Sequence, residues 1–262
     1  MEPPDMSVDK NLIETVRNGP VYCITMQRSS KKNALNISMY NGLVAGLETA
    51  ESDPEVRVIL LTATGDTFTS GNDLNDFMQM RDHTGRLPGT AFLSILIRVR
   101  KPIVAAVNGP AIGIGSTMLL HCDLVYASEN ARFQMPFVNL GLCPEAGSSY
   151  LLPKRIGHQR ASALLLLGES FSAREAQSMG IVNQVCPSEK IADVAMQAAR
   201  KLAAQPLNAV MLTKDLLKAD DRRGLDAAIT EELAHFTERL ASADFEAAYT
   251  AFKNRLSSRK AE

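Results

Sequence analysis

At 262 residues the chain is long enough to bury a core of its own without disulfide or metal staples. Hydrophobic residues at 45% and charged residues at 22% are ordinary globular usage, which argues against a disordered or membrane-embedded chain. Lys plus Arg (28) nearly balances Asp plus Glu (29), so no overall field draws nucleic acid or an acidic membrane surface.

The N-terminal MEPPDMSVDK is acidic and Pro-rich, unlike a signal sequence, and no apolar run reaches spanning length. The C-terminal SSRKAE is not an SKL-type address. Cytoplasm is expected for a bacterial chain, and mitochondrion or peroxisome otherwise. Cys23, Cys122, Cys143 and Cys186 lie far apart with no CxxC pair, which predicts free thiols in a reducing compartment.

In chain order, VYCITMQR (21–28) alternates and is β-branched, while VRVILLTATG (56–65) and KPIVAAVNGPAIG (101–113) are nearly continuous apolar runs ended by glycine. These read as strands, the last two buried on both faces. ISMYNGLVAGLETAESDP (37–54) has helical spacing, with Ser38 as a candidate cap and Pro54 as a stop. After Gly113 the pattern predicts a helix over 116–121, a strand DLVYAS and a short strand ARFQMP. SAREAQSMG predicts a helix ended by Gly180, with a strand after it. From about residue 188 every segment reads as helix, with breaks at Pro206 and Gly224. Repeated strand–helix–strand order predicts an α/β fold built from parallel βαβ units, followed by a helical region over 188–262.

GPAIGIGST (109–117) follows a strand and opens a helix, as a dinucleotide-binding loop does. The third glycine is missing, because Met118 stands there, and no acidic residue follows at the spacing that holds a ribose. The glycines still let backbone approach a ligand, and the helix start turns free N–H groups toward it. TFTSGNDLNDF (67–77) is a second strand end with a loosened turn, capped by Asn72 or Asp73. Two such turns can aim their amides at one oxygen atom, the geometry of an oxyanion hole. Other chemistries find no support. His83, His121, His158 and His235 lack metal-ligand spacing, Ser148 and Ser149 lack a GxSxG turn, and the thiols have no activating partner. GLCPEAGSSY (141–150) adds one carboxylate, Glu145, which by itself is either a catalytic base or a polar residue in a turn.

KKNALN (31–36), TSGNDL (69–74), KPIVAAVNGPAIGIG (101–115), CDLVYAS (122–128), FQMPFVNLGLCPEAGSSYLLPKRIG (133–157) and SAREAQSMGIVNQV (172–185) follow one another in an order that resembles the crotonase superfamily of enoyl-CoA hydratases and isomerases. The resemblance implies a spiral core of repeated ββα turns over 1–187 carrying an acyl-CoA site. It also implies a helical region over 188–262 that assembles a homotrimer or a dimer of trimers. No metal and no separate cofactor is implied, coenzyme A being part of the substrate. The oxyanion donors become the amides of Asn72 and Ile114. Lys31, Lys32, Ala34 and Leu35 would lie along the CoA, with Ser70, Gly71, Asp73, Leu74, Gly113 and Phe137 as further residues binding the acyl-CoA. Hydratases place two glutamates at positions that here hold Thr117 and Phe137. Glu145 instead falls where Δ3,Δ2-enoyl-CoA isomerases of the peroxisomal type carry their glutamate, and Phe137, Met135, Leu142 and Phe77 are its expected walls. The implied activity is transposition of a 3-enoyl-CoA double bond to 2-trans in fatty acid β-oxidation. The alternatives are hydration, or a crotonase-fold interaction module of the chromodomain-Y type.

Overall fold

The structure, a computed structural model, describes residues 12–74 and 89–258, with side chains to residue 254. Strands β1 (Ile13–Asn18), β2 (Val21–Met26), β3 (Val58–Ala63), β4 (Ile103–Val107), β6 (Leu124–Ser128) and β9 (Gln184–Cys186) form one sheet in that order. All its neighbours pair in parallel except β1 with β2. A second sheet holds β5 (Ala111–Ile112), β7 (Arg132–Gln134) and β8 (Phe171–Ser172). The run 101–113 is therefore two strands rather than one. The chain leaves the large sheet after Val107, turns at Asn108–Pro110 and enters the small sheet, and β6 followed by β7 repeats the step. Gly109 permits the turn, since a Cβ there would lie 1.9 Å from the Asp66 carbonyl oxygen. This is the ββα spiral that the resemblance implies.

The period of two along each strand sorts its side chains onto two faces. Ile59, Leu61, Ile103, Ala105 and Val107 face the main core, with helix α1 (Ile37–Ser52) and helix α2 (Thr90–Arg98) above them. Val58, Leu60, Val104 and Ala106 face a second cluster, closed by Ile191, Ala195, Ala199 and Ala203 at helical spacing. The core thus continues past residue 187.

Helix α3 (Ile114–Thr117) passes into a 3₁₀ turn over Met118–His121. It is followed in chain order by α4 (Ser148–Ile156), α5 (His158–Ser162), α6 (Ala173–Ser178), α7 (Ile191–Ala203), α8 (Leu207–Leu217), α9 (Arg222–Leu240) and α10 (Ala243–Ser258). The cap of α1 is Asn36 rather than Ser38, its side chain accepting from the Met39 amide at 2.9 Å. Gly224 does not break a helix. It lies inside α9, where a Cβ would meet the Tyr150 hydroxyl at 2.3 Å; the break expected there falls at 218–221, between α8 and α9, and a further one falls at 241–242. Strand β1 and helices α2 and α4 are elements that the periodicity does not announce. Five of the six residues of β1 are exposed, and α4 begins on a left-handed Gly147 and contains Pro153.

Candidate active site

The second loosened turn and the first glycine turn come together through the small sheet. Thr69 bridges Ala111 in parallel, the Ile112 amide donates to the Thr69 carbonyl at 3.0 Å, and the two chains then run outward side by side. Gly71 is required here, because at φ +91° a Cβ would press on the Ile112 carbonyl at 2.9 Å. Asn72 stands three residues beyond Thr69, and Ile114 three beyond Ala111, so both reach the same level. Leu35 pairs with Asn72 using the carbonyl of Gly71 and the amide of Asp73, which leaves the Asn72 amide outside the ladder. Ile114 opens α3, where the first N–H groups have no intrahelical acceptor. Both residues line one cleft of about 610 Å³.

Glu145 lines the same cleft, carried by the turn before α4. Its Oε1 is shut off from water and has no hydrogen-bond partner among the described residues. Burial, and after it the nearby Glu232 carboxylate, push its pKa up to about 8. The other carboxylate among the described lining residues, Asp73, is held by Arg28 at 2.6 Å. Glu145 and Asn72 also line a second cavity of about 430 Å³ on their far side. Its walls are α2 and α9: Thr90, Leu93 and Ile97 recur at helical spacing on one, and Ile229, Leu233 and Phe236 on the other. Tyr40 closes the near end, its hydroxyl donating to the Asn72 side chain. Arg98 and Asp226 stand at the other end, where a third cavity adjoins. From Thr90 to Arg98 a helix rises about 12 Å, and from Asp226 to Phe236 about 15 Å. The second cavity is thus a mostly apolar slot between these two helices, with Glu145 among its lining residues.

Of the remaining predicted residues, Lys31, Ala34, Ser70, Gly71, Asp73, Leu74, Gly113 and Phe137 line the cleft. Lys32 and Leu35 do not. Lys32 adopts φ +51° and its ammonium meets the exposed Asp66 carboxylate at 2.8 Å, while Leu35 is 2% exposed and packs in the core. Thr117 is fully buried with an unpartnered hydroxyl, and Phe137 sets its ring edge-on against Phe236. Phe137 and Leu142 wall the cleft beside Glu145, Met135 is buried without lining it, and Phe77 and His83 lie outside the described residues. His121 is a packing residue: burial brings its pKa down to about 4, and the neutral ring bonds the Ala146 carbonyl at 2.8 Å. The four cysteines are free.

Sequence reasoning missed Arg28, Tyr40, Glu232, Phe236, Tyr249, Phe252 and Lys253, all of which line the cleft or the slot. Five of the seven come from α9 and α10, whose local pattern reports only amphipathic helix. Lys31 and Lys253 place two exposed cations at the cleft.

A sequence profile described as enoyl-CoA hydratase/isomerase matches residues 16–260. Enoyl-CoA delta isomerase 2 of Rattus norvegicus is 37% identical over 229 residues, 85% of this chain. The chain spans only 58% of that relative's length. The 2,3-dehydroadipyl-CoA hydratase of Escherichia coli (strain K12) is 36% identical over 238 residues, covering 90% of this chain and 93% of its own. Among solved structures, an enoyl-CoA hydratase/isomerase from Pseudoalteromonas atlantica T6c superposes with a TM-score of 0.89 at 41% identity, covering 93% of this chain and 97% of that one.

Proposed function

Because the chain belongs to the enoyl-CoA hydratase/isomerase family, also called the crotonase family, we propose that it isomerises 3-cis- and 3-trans-enoyl-CoA thioesters to 2-trans-enoyl-CoA. The observation that carries the reading is the buried carboxylate of Glu145, its pKa pushed up to about 8, between a cleft with two free backbone donors and an apolar slot. The CoA lies in the cleft with its phosphates toward Lys31 and Lys253, and the acyl tail enters the slot between α2 and α9. No cofactor besides the CoA of the substrate takes part.

The C2 proton of a 3-enoyl thioester is acidified by the thioester and by the adjacent double bond. Ionised Glu145 takes that proton, the C3–C4 π electrons delocalise into a dienolate, and negative charge gathers on the thioester oxygen. The amides of Asn72 and Ile114 stabilise it, a contribution of about 3–4 kcal/mol per donor where measured. Glu145 then returns the proton to C4, leaving the double bond between C2 and C3. One carboxylate serves both carbons because no water is consumed. A pKa of about 8 suits it to accept a proton and give it back near neutral pH.

Hydration is the second reading, favoured by the near full-length likeness to a hydratase. Against it stand Thr117 and Phe137, which offer no second carboxylate to hold and deprotonate a water. The deciding experiment follows purified protein with 3-cis-, 3-trans- and 2-trans-hexenoyl-CoA. Isomerisation of the first two without 3-hydroxyacyl-CoA from the third is expected, and it should drop by two or more orders of magnitude in Glu145→Gln while acyl-CoA still binds. Turnover close to wild type in that variant overturns the assignment. The protein acts as a homotrimer or a dimer of trimers, a reading supported by Leu212, Leu216 and Leu217 of α8, which stand 59%, 69% and 80% exposed.

A further inference from the structure

The turn that carries Glu145 runs against backbone preference. Ala146 sits at φ +60° and Gly147 at φ +70°, both left-handed, and for Ala146 that conformation costs on the order of 1 kcal/mol. No side chain of the turn itself caps the helix α4 that follows. The cap comes from α9 instead. Glu232, 7% exposed, accepts from the Gly147 amide at 2.6 Å through one oxygen. Through the other it accepts from the Ser149 amide at 2.9 Å and the Ser149 hydroxyl at 2.5 Å. The same helix presses Leu225 and Ile229 on Gly147 so closely that a Cβ there would lie 2.2 Å from Leu225 Cδ1. One turn earlier in the chain, the Cys143 thiol donates to the Glu232 carbonyl at 3.7 Å.

We propose that Glu232 is a positioning residue of this site: by tying down the Gly147 and Ser149 amides it holds the Glu145 carboxylate at the junction of cleft and slot. The role rests on Glu145 being the base. An electrostatic consequence follows from the same contact. Burial raises the Glu232 pKa as well, but three donors oppose that rise, whereas Glu145 Oε1 has none, so Glu232 is the carboxylate of the pair that ionises first. The described titratable groups facing Glu145 are Glu232 from α9, Tyr40 from α1 and Cys143 from its own turn. Burial raises the Tyr40 hydroxyl well above its ordinary range and the Cys143 thiol to about 11, so both stay neutral at working pH. Burial is therefore the larger cause that holds the Glu145 pKa up, and the charge of Glu232 adds to it.

The test is the pH profile of kcat/KM for 3-hexenoyl-CoA isomerisation by the full chain carrying Glu232→Gln. The neutral amide loses part of the clamp and all of the charge. The expected result is a kcat lowered about three- to tenfold with KM near wild type, and an acid limb moved roughly half a unit to one unit lower in pH. A merely structural role does not move that limb, and a wild-type limb in a folded variant overturns the proposal. Should Glu232→Gln not fold, Ser149→Ala removes one exposed donor only: a severalfold loss of kcat at constant KM is expected, and wild-type kcat overturns the clamp. Glu145→Gln measured alongside separates the two readings. If it retains turnover, the base assignment fails. If it is inactive while both other variants behave as wild type, only the role of Glu232 fails.

Discussion

Glu145 places a carboxyl group where neither water nor a donor reaches Oε1, and this has consequences for activity and for stability. As base it must be ionised, so kcat/KM is expected to rise with pH through about 8 and to fall as pH drops below it, read from a pH–rate profile. For stability the sign is the reverse. The folded-state pKa lies above the unfolded value of 4.5, so the contribution is fully present below pH 4.5 and is lost as pH rises through about 8. Glu145→Gln removes the buried charge. It is expected to melt within a degree of wild type near pH 4.5, and to gain roughly 1–3 kcal/mol, or about 2–4 °C per kcal/mol, at pH 9. Thermal melts at the two pH values check this, and equal shifts at both contradict it. The PEAGSS string marks the residue, but its raised pKa comes first from burial and then from Glu232, which lies 87 positions later.

At the level of elements, α2 and α9 form the slot, and the Leu93, Ile97 and Leu233 side chains set its bore. Leu93→Trp, near the middle of α2, is expected to leave activity on a four-carbon 3-enoyl-CoA within about threefold of wild type and to lower kcat/KM on a ten-carbon one by about tenfold or more. Parallel steady-state assays on the two substrates decide it, and an equal loss on both excludes the slot as the tail's seat. Sequence patterning resolves these elements unevenly. The strands β3 and β4 are apolar on both faces and so stand out, whereas β1 shows alternation too weak to read, with a single half-buried residue among six. Helix α4 is obscured for a different reason: its cap, Glu232, is 83 residues away from the Ser149 amide that it accepts from, and no local signal can report that.

For the whole molecule, α8 leaves Leu212, Leu216 and Leu217 open while the opposite side of the same helix is tied in through Lys214, which bonds Asp123 at 2.7 Å. Burying three leucines against a second copy contributes roughly 1.5–3 kcal/mol each. Leu212→Ser combined with Leu216→Ser is therefore expected to shift the assembly toward monomer in sedimentation velocity, with Glu145 chemistry weakened only as far as the site depends on assembly. Unchanged sedimentation overturns α8 as the contact. The sequence alone determined the strand–helix–strand order of the parallel units, the two glycine-loosened turns, and the absence of carboxylates at 117 and 137. Each of these is written in local periodicity or in residue type, which the chain carries wherever it folds. The tertiary structure decided that Thr69 bridges Ala111 so that the Asn72 and Ile114 amides reach one level. It also decided that Lys32 and Leu35 turn away from the cleft, and that α9 holds the turn of Glu145. These depend on contacts between segments tens of residues apart, and on burial, which no window of sequence records.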